Sequence, residues 1–272
     1  MVEGQPVEGF EFKCPSGFSA VFRKMKLAEQ VKAAKNKNKP QNNFARNLLT
    51  ACWLSTSDAG PYDFDTESVL PWDDLLAGDR FYLLLKLSNT SGNETPSYRA
   101  RCPHCSKRKP YDININPDDP DSHFVFRKLE PEVFDHIKER GNRFDGELLD
   151  GRRIVYKLPT GTTENKVSKV DEASQPVAFL RDVLLEVEGL EHIHPKAIMQ
   201  LDVDEVEHVQ DMIDERNCGV DTTVELDCVN CMEEFDIDVP LSVIFEPGRR
   251  TRSRQQKRRA EKRKKRSSQA GA

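Results

Sequence analysis

The sequence predicts an α+β fold built from two topologically similar halves, each running hairpin, helices, then a β-hairpin bearing a Cys-x-x-Cys doublet. Three observations carry that prediction. Cys102-Pro103-His104-Cys105 and Cys228-Val229-Asn230-Cys231 each follow a helix-like segment and a short β-like run, Tyr98 to Arg101 and Thr223 to Leu226. Each doublet is followed within a few residues by alternating strand sequence, Tyr111 to Ile115 and Phe235 to Val239. The elements upstream of each doublet then come in the same order. Residue identity between the halves is slight, so pseudo-twofold character is read from element order alone.

In the first half, Gly9 to Lys13 and Ala20 to Arg23 alternate apolar residues around Pro15-Ser16-Gly17, which predicts a hairpin. Helices are expected over 27–35, over 44–54 after a Lys/Asn-rich loop, and over 71–87, where Pro71 starts a dense apolar stretch. Asp79-Arg80 is the polar exception in that third helix. The second half repeats the pattern. Asp150-Gly151 turns a hairpin over 147–158, a helix is expected over 163–173, and Pro176 opens another whose apolar positions reach Val187. An acidic amphipathic helix over 201–216 precedes the second doublet. The corresponding divisions are 1–115, an acidic Pro-rich connection over 116–143, 144–247, and a basic tail over 248–272.

Charge is divided unevenly. The tail holds 12 Lys+Arg (Arg249, Arg250, Arg252, Arg254, Lys257, Arg258, Arg259, Lys262, Arg263, Lys264, Lys265, Arg266) and one acid, leaving 29 Lys+Arg against 45 Asp+Glu before it. An acidic body at −16 followed by a tail at +11 reads as a folded body with a disordered arm. Such an arm binds phosphates or acidic surfaces, or folds back on its own body. No apolar run reaches the roughly 18 residues of a membrane span, and the N-terminus lacks the pattern of a secretory signal.

Two thiolates two residues apart on a tight turn are half of a tetrahedral zinc site. Cys102, Cys105, Cys228 and Cys231 therefore predict a shared structural zinc in a zinc-ribbon-like element, with a duplicated two-zinc knuckle and metal-free thiols as alternatives. The separation of the doublets is far longer than an ordinary ribbon's. Cys-Pro-His-Cys is also a thiol–disulfide oxidoreductase tetrapeptide, but that chemistry needs the first cysteine at a helix N-terminus. Pro110 forbids a long helix here, and the surrounding βαβ pattern is absent. His104 reads as a surface or outer residue. No GxSxG, HExxH, phosphate loop or dinucleotide fingerprint occurs, so no enzyme is expected.

Pro15-Ser16-Gly17, Gly78-Asp79-Arg80-Phe81-Tyr82-Leu83-Leu84, Cys102-Pro103-x-Cys105, Leu158-Pro159-Thr160-Gly161 and Cys228-x-x-Cys231, in this order, resemble the baseplate hub assembly family of T4-type tailed phages. The resemblance covers roughly 10–245. It implies a non-enzymatic assembly chaperone or minor baseplate component. Its partners would be hub or tail proteins, in the host cytoplasm during assembly and in the virion baseplate. The doublets would then be scaffold, and Asp79 and Arg80 a structural ion pair or a partner contact. The basic tail is not carried over from the family. A zinc-ribbon nucleic-acid binder using the tail is the alternative, opposed by the charge of the body.

Overall fold

A computed structural model describes residues 8–36, 44–240 and 244. The chain opens with β1 (Gly9–Lys13) and β2 (Ser19–Arg23), then α1 (Leu27–Asn36), α2 (Phe44–Cys52) and β3 (Trp53–Asp58). α3 (Ala77–Thr90) leads into the first ribbon, β4 (Ser97–Arg101) and β5 (Arg108–Asp112). β6 (Val125–Arg127) and α4 (Pro131–Arg140) follow. Then come β7 (Phe144–Glu147), β8 (Arg153–Tyr156), α5 (Gly161–Val167), α6 (Gln175–Val183) and β9 (Leu184–Val187). α7 (Pro195–Ile198), α8 (Val203–Arg216) and β10 (Gly219–Asp221) precede the second ribbon, β11 (Thr223–Asp227) and β12 (Glu234–Asp238).

Among the described residues the strands form small antiparallel sheets, two of them three-stranded in the orders β1-β2-β3 and β7-β8-β9. The mixed content is that of an α+β fold. In each three-stranded sheet the third strand returns after helices and pairs with the second strand of the hairpin. This corrects two expectations: the helix over 44–54 ends at Cys52, and the one reaching Val187 ends at Val183. Trp53 pairs with Phe22, and Leu184 and Val187 pair with Tyr156 and Ile154. Leu184 and Val187 also satisfy a helical stripe, so pairing with a preformed hairpin decides their conformation.

Three further boundaries differ from expectation. Pro71 does not start α3: residues 71–76 turn, and Leu76 is extended because it bridges Thr160. α5 ends at Val167, short of 173, and starts at a reciprocal Thr160/Thr163 capping box. The connection over 116–143 holds β6, which pairs with β10, and α4, which has Pro131 in its first turn.

Two apolar cores result. The first draws Phe12, Phe18, Phe22, Leu49, Trp72, Leu83 and Leu85 together with Ile113 and Phe124, and also with Val224, Leu226 and Phe235 from the second ribbon. The second gathers Leu76, Ile137, Phe144, Ile154, Tyr156, Leu180, Val209 and Ile213. The second ribbon thus leaves α8, whose Val209 and Ile213 lie in the second core, and packs with the first ribbon. That return brings the two cysteine doublets together.

Candidate metal centre

Each doublet sits on the turn of a two-stranded ribbon, and the two turns have the same backbone plan. In the first, Cys102 N–H donates to the Lys107 carbonyl at 3.0 Å and Ser106 N–H to the Cys102 carbonyl at 2.9 Å. In the second, Cys228 N–H donates to the Glu233 carbonyl at 3.0 Å and Met232 N–H to the Cys228 carbonyl at 2.8 Å. The residue after each second cysteine turns left-handed, Ser106 at φ 59° and Met232 at φ 62°. They are the only non-glycine residues at positive φ among those described. That conformation curls each loop so that both of its thiols point inward.

The four Sγ atoms all lie within 4.8 Å of one another. Cys102 meets Cys231 at 3.7 Å and Cys105 meets Cys228 at 3.6 Å. A tetrahedron with metal–sulfur bonds of about 2.3 Å has sulfur–sulfur edges of about 3.8 Å. The cluster therefore fits one four-coordinate ion, with two ligands from each ribbon. All seven cysteines are free thiols. Cys102 and Cys228 are buried, while Cys105 and Cys231 are half-buried at the rim. Backbone N–H groups of Cys231 and Asn230 hold the Cys228 pKa down to about 6. Against the Glu233 backbone N–H, burial and the neighbouring thiols push Cys231 up to about 12, so the pair shares one thiolate until an ion binds. His104 is exposed and donates from Nε2 to the Glu234 carbonyl at 3.2 Å, tying one knuckle to the other ribbon from outside the sulfur cluster. Below the sulfurs, Tyr111 and Phe235 meet edge to face at 6.0 Å and seal the seam.

Asp79 and Arg80 lie on α3, both buried, and face different partners. The Asp79 carboxylate accepts from Ser16 N–H at 3.1 Å, the Ser16 hydroxyl, the Tyr62 hydroxyl at 2.6 Å and the Cys218 thiol at 3.8 Å. Burial pushes its pKa up, against the pull of the Ser16 and Tyr62 donors. Arg80 Nη1 lies 3.3 Å from Asp73 and 3.2 Å from Glu164, and Arg46 also pairs with Asp73. Gly161 makes room for that guanidinium, since a Cβ there would lie 2.1 Å from Arg80 Nη1. Arg80 thereby links α3 to α5. Ser16, Tyr62, Cys218, Asp73 and Glu164 were not singled out in the sequence. Ser16 is legible only as part of the Pro15-Ser16-Gly17 turn, Asp73 lies just ahead of α3 and the others are distant from it, although two adjacent charges in a dense apolar helix signal that partners must exist elsewhere. The basic positions Arg249 to Arg266 lie outside the described residues.

No helix among the described residues is long and apolar enough to cross a membrane. Comparison with curated proteins and with solved structures finds no match. A family model does match, over residues 8–243, and so spans both ribbons, both cores and nearly all of the acidic body. On that match the chain belongs to the T4 bacteriophage base plate protein family.

Proposed function

We propose that this protein is a non-enzymatic assembly protein of the phage tail baseplate hub, acting by protein–protein contact as an assembly chaperone or a minor baseplate component. The family match over residues 8–243 carries this reading, because it covers the whole folded body and not one shared module. The partners are other baseplate or tail proteins, in the host cytoplasm during assembly and in the virion tail. The four cysteines hold a structural zinc that supplies a crosslink. The repeated order of three-stranded sheet, helix and cysteine ribbon supports a pseudo-twofold relation between 1–115 and 144–247, expressed in element order and not as separate cores. The basic tail adds an arm for phosphates or acidic surfaces. A tagged full-length chain in phage-infected cells should co-purify with a hub component. Recovery of baseplate proteins without any hub component would contradict the hub assignment.

One observation favours the nucleic-acid reading: the first ribbon exposes Arg99, Arg101, Lys107, Arg108 and Lys109. The second ribbon, tied to it through the cysteines, exposes carboxylates that repel a phosphate backbone. A mobility-shift titration with and without residues 248–272 separates the two. Salt-sensitive binding by the tailless body would favour nucleic acid.

A further inference from the structure

The two ribbons carry opposite charges in the same geometry. On the first, Arg99 stands across from Pro110 and Arg101 directly across from Arg108, all exposed, with the Ser97 and Asp112 pair closing the far end. Lys107 is exposed at the turn beside this face, and Lys109, across from Ala100, is exposed on the other side. On the second, Glu225 stands across from Asp236 and Asp227 across from Glu234, with Thr223 and Asp238 at the far end. Like charges directly opposite in an antiparallel pair are unfavourable, yet Arg101/Arg108, Glu225/Asp236 and Asp227/Glu234 are all of this kind. None of these arginines and carboxylates is in an ion pair among the described residues. At the far end Thr223 donates its hydroxyl to Asp238 at 3.1 Å, and His104 reaches only the backbone carbonyl of Glu234.

The faces cannot neutralise each other within one chain. The opposite side of each ribbon, Ala100 and Tyr111 in one, Val224, Leu226 and Phe235 in the other, belongs to the shared core, where Tyr111 meets Phe235. The cysteines tie the inner sides together at the turns, so the charged faces look outward. Charges two residues apart along a strand repeat at about 7 Å, so Arg99 and Arg101 on β4 match the spacing of Glu225 and Asp227 on β11, and β5 adds Arg108 alone.

We propose that these faces are complementary docking surfaces for a second copy of this chain. The Arg99/Arg101/Arg108 face of one copy seats on the Glu225/Asp227/Glu234/Asp236 face of the next. Because the two faces differ, the contact is head to tail, and it closes as a ring or extends as a row. The cysteine cluster positions the surfaces by holding both ribbons in one unit. This inference is independent of the hub assignment.

Sedimentation of the full-length, metal-loaded chain at about 0.05 M and about 0.5 M salt tests it, because docking between exposed charges is screened by salt. Wild type should self-associate at low salt and dissociate at high salt. Arg99→Glu with Arg101→Glu and Arg108→Glu, or Glu225→Lys with Asp227→Lys, Glu234→Lys and Asp236→Lys, should each weaken self-association at least tenfold. Mixing the two variants should restore association, since one is then acidic on both faces and the other basic on both. If reversal disturbs folding by circular dichroism, the neutral pairs Arg101→Gln/Arg108→Gln and Glu225→Gln/Asp236→Asn serve, with a smaller loss of the same sign. A wild-type monomer at low salt, or association that survives either reversal, overturns the proposal. So does a mixture that fails to combine. Association lost on removing residues 248–272 but kept when the basic face is reversed would make the tail the occupant of the acidic face, and would overturn it too.

Discussion

Ser106 and Met232 take the left-handed turn that lets each knuckle point two sulfurs at one centre. An L-residue pays about 1 kcal/mol for that conformation, and glycine does not. Met232 is exposed and packs on nothing in the core. Met232→Gly should therefore raise unfolding free energy by about 0.5–1 kcal/mol in denaturant titrations of the metal-loaded chain. A loss would mean that the left-handed turn is not the source of strain. Asp79 is the other residue with large consequences. Removing it as Asp79→Ala leaves the Ser16 and Tyr62 donors unpaired in a buried site, which should cost about 3 kcal/mol or more. Its pKa is raised in the fold, chiefly by burial. The native state therefore holds the proton more tightly than the unfolded chain does. Its contribution is full below the ordinary aspartate range near pH 3.9 and declines as pH rises through the raised value. Unfolding free energies of wild type and Asp79→Asn, compared from pH 4 to 7, should move against wild type as pH rises. A difference that is flat with pH would mean that Asp79 is ionised throughout.

At the scale of elements, α3 is the hinge of the architecture, and its closest neighbour is β10. A Cβ on Gly78 would lie 2.1 Å from the Cys218 carbonyl oxygen and 2.5 Å from Gly219 Cα, so backbone packs directly on backbone. Gly78→Ala must open that contact and should cost about 3 kcal/mol in equilibrium unfolding. A cost below about 1 kcal/mol, the ordinary scale for a glycine exchange, would show that α3 and β10 are not held together here. The elements differ in how far the sequence exposes them. Hairpins with a Pro/Gly or Asp-Gly turn, and α8 with its regular apolar stripe, are legible because turn chemistry and periodicity are local. β3 and β9 are not, since Leu184 and Val187 fit a helical stripe as well as a strand. Only pairing with β8 decides between them. β6 is illegible for the same reason, because its partner β10 lies about ninety residues away.

Across the whole molecule, the cysteine cluster joins chain segments more than a hundred residues apart. Each doublet announces itself by spacing, but the shared site depends on the second ribbon leaving its own half to enter the first core, a packing choice that no local pattern encodes. A metal crosslink at that point would constrain the first core and leave the second alone. Stripping metal with a chelator should therefore raise amide exchange in β4, β5, β11 and β12, while β7, β8 and β9 keep their protection. Equal loss in both sets of strands would argue against a local staple. We propose that one ion, bound by two thiolates from each ribbon, ties the mid-chain first ribbon to the second ribbon of this baseplate protein. Metal analysis of purified wild type, Cys102→Ser and Cys228→Ser chains tests it most directly. One zinc per wild-type chain, lost in either single variant, is the predicted result. No metal in wild type, or two ions of which each variant loses one, would contradict it.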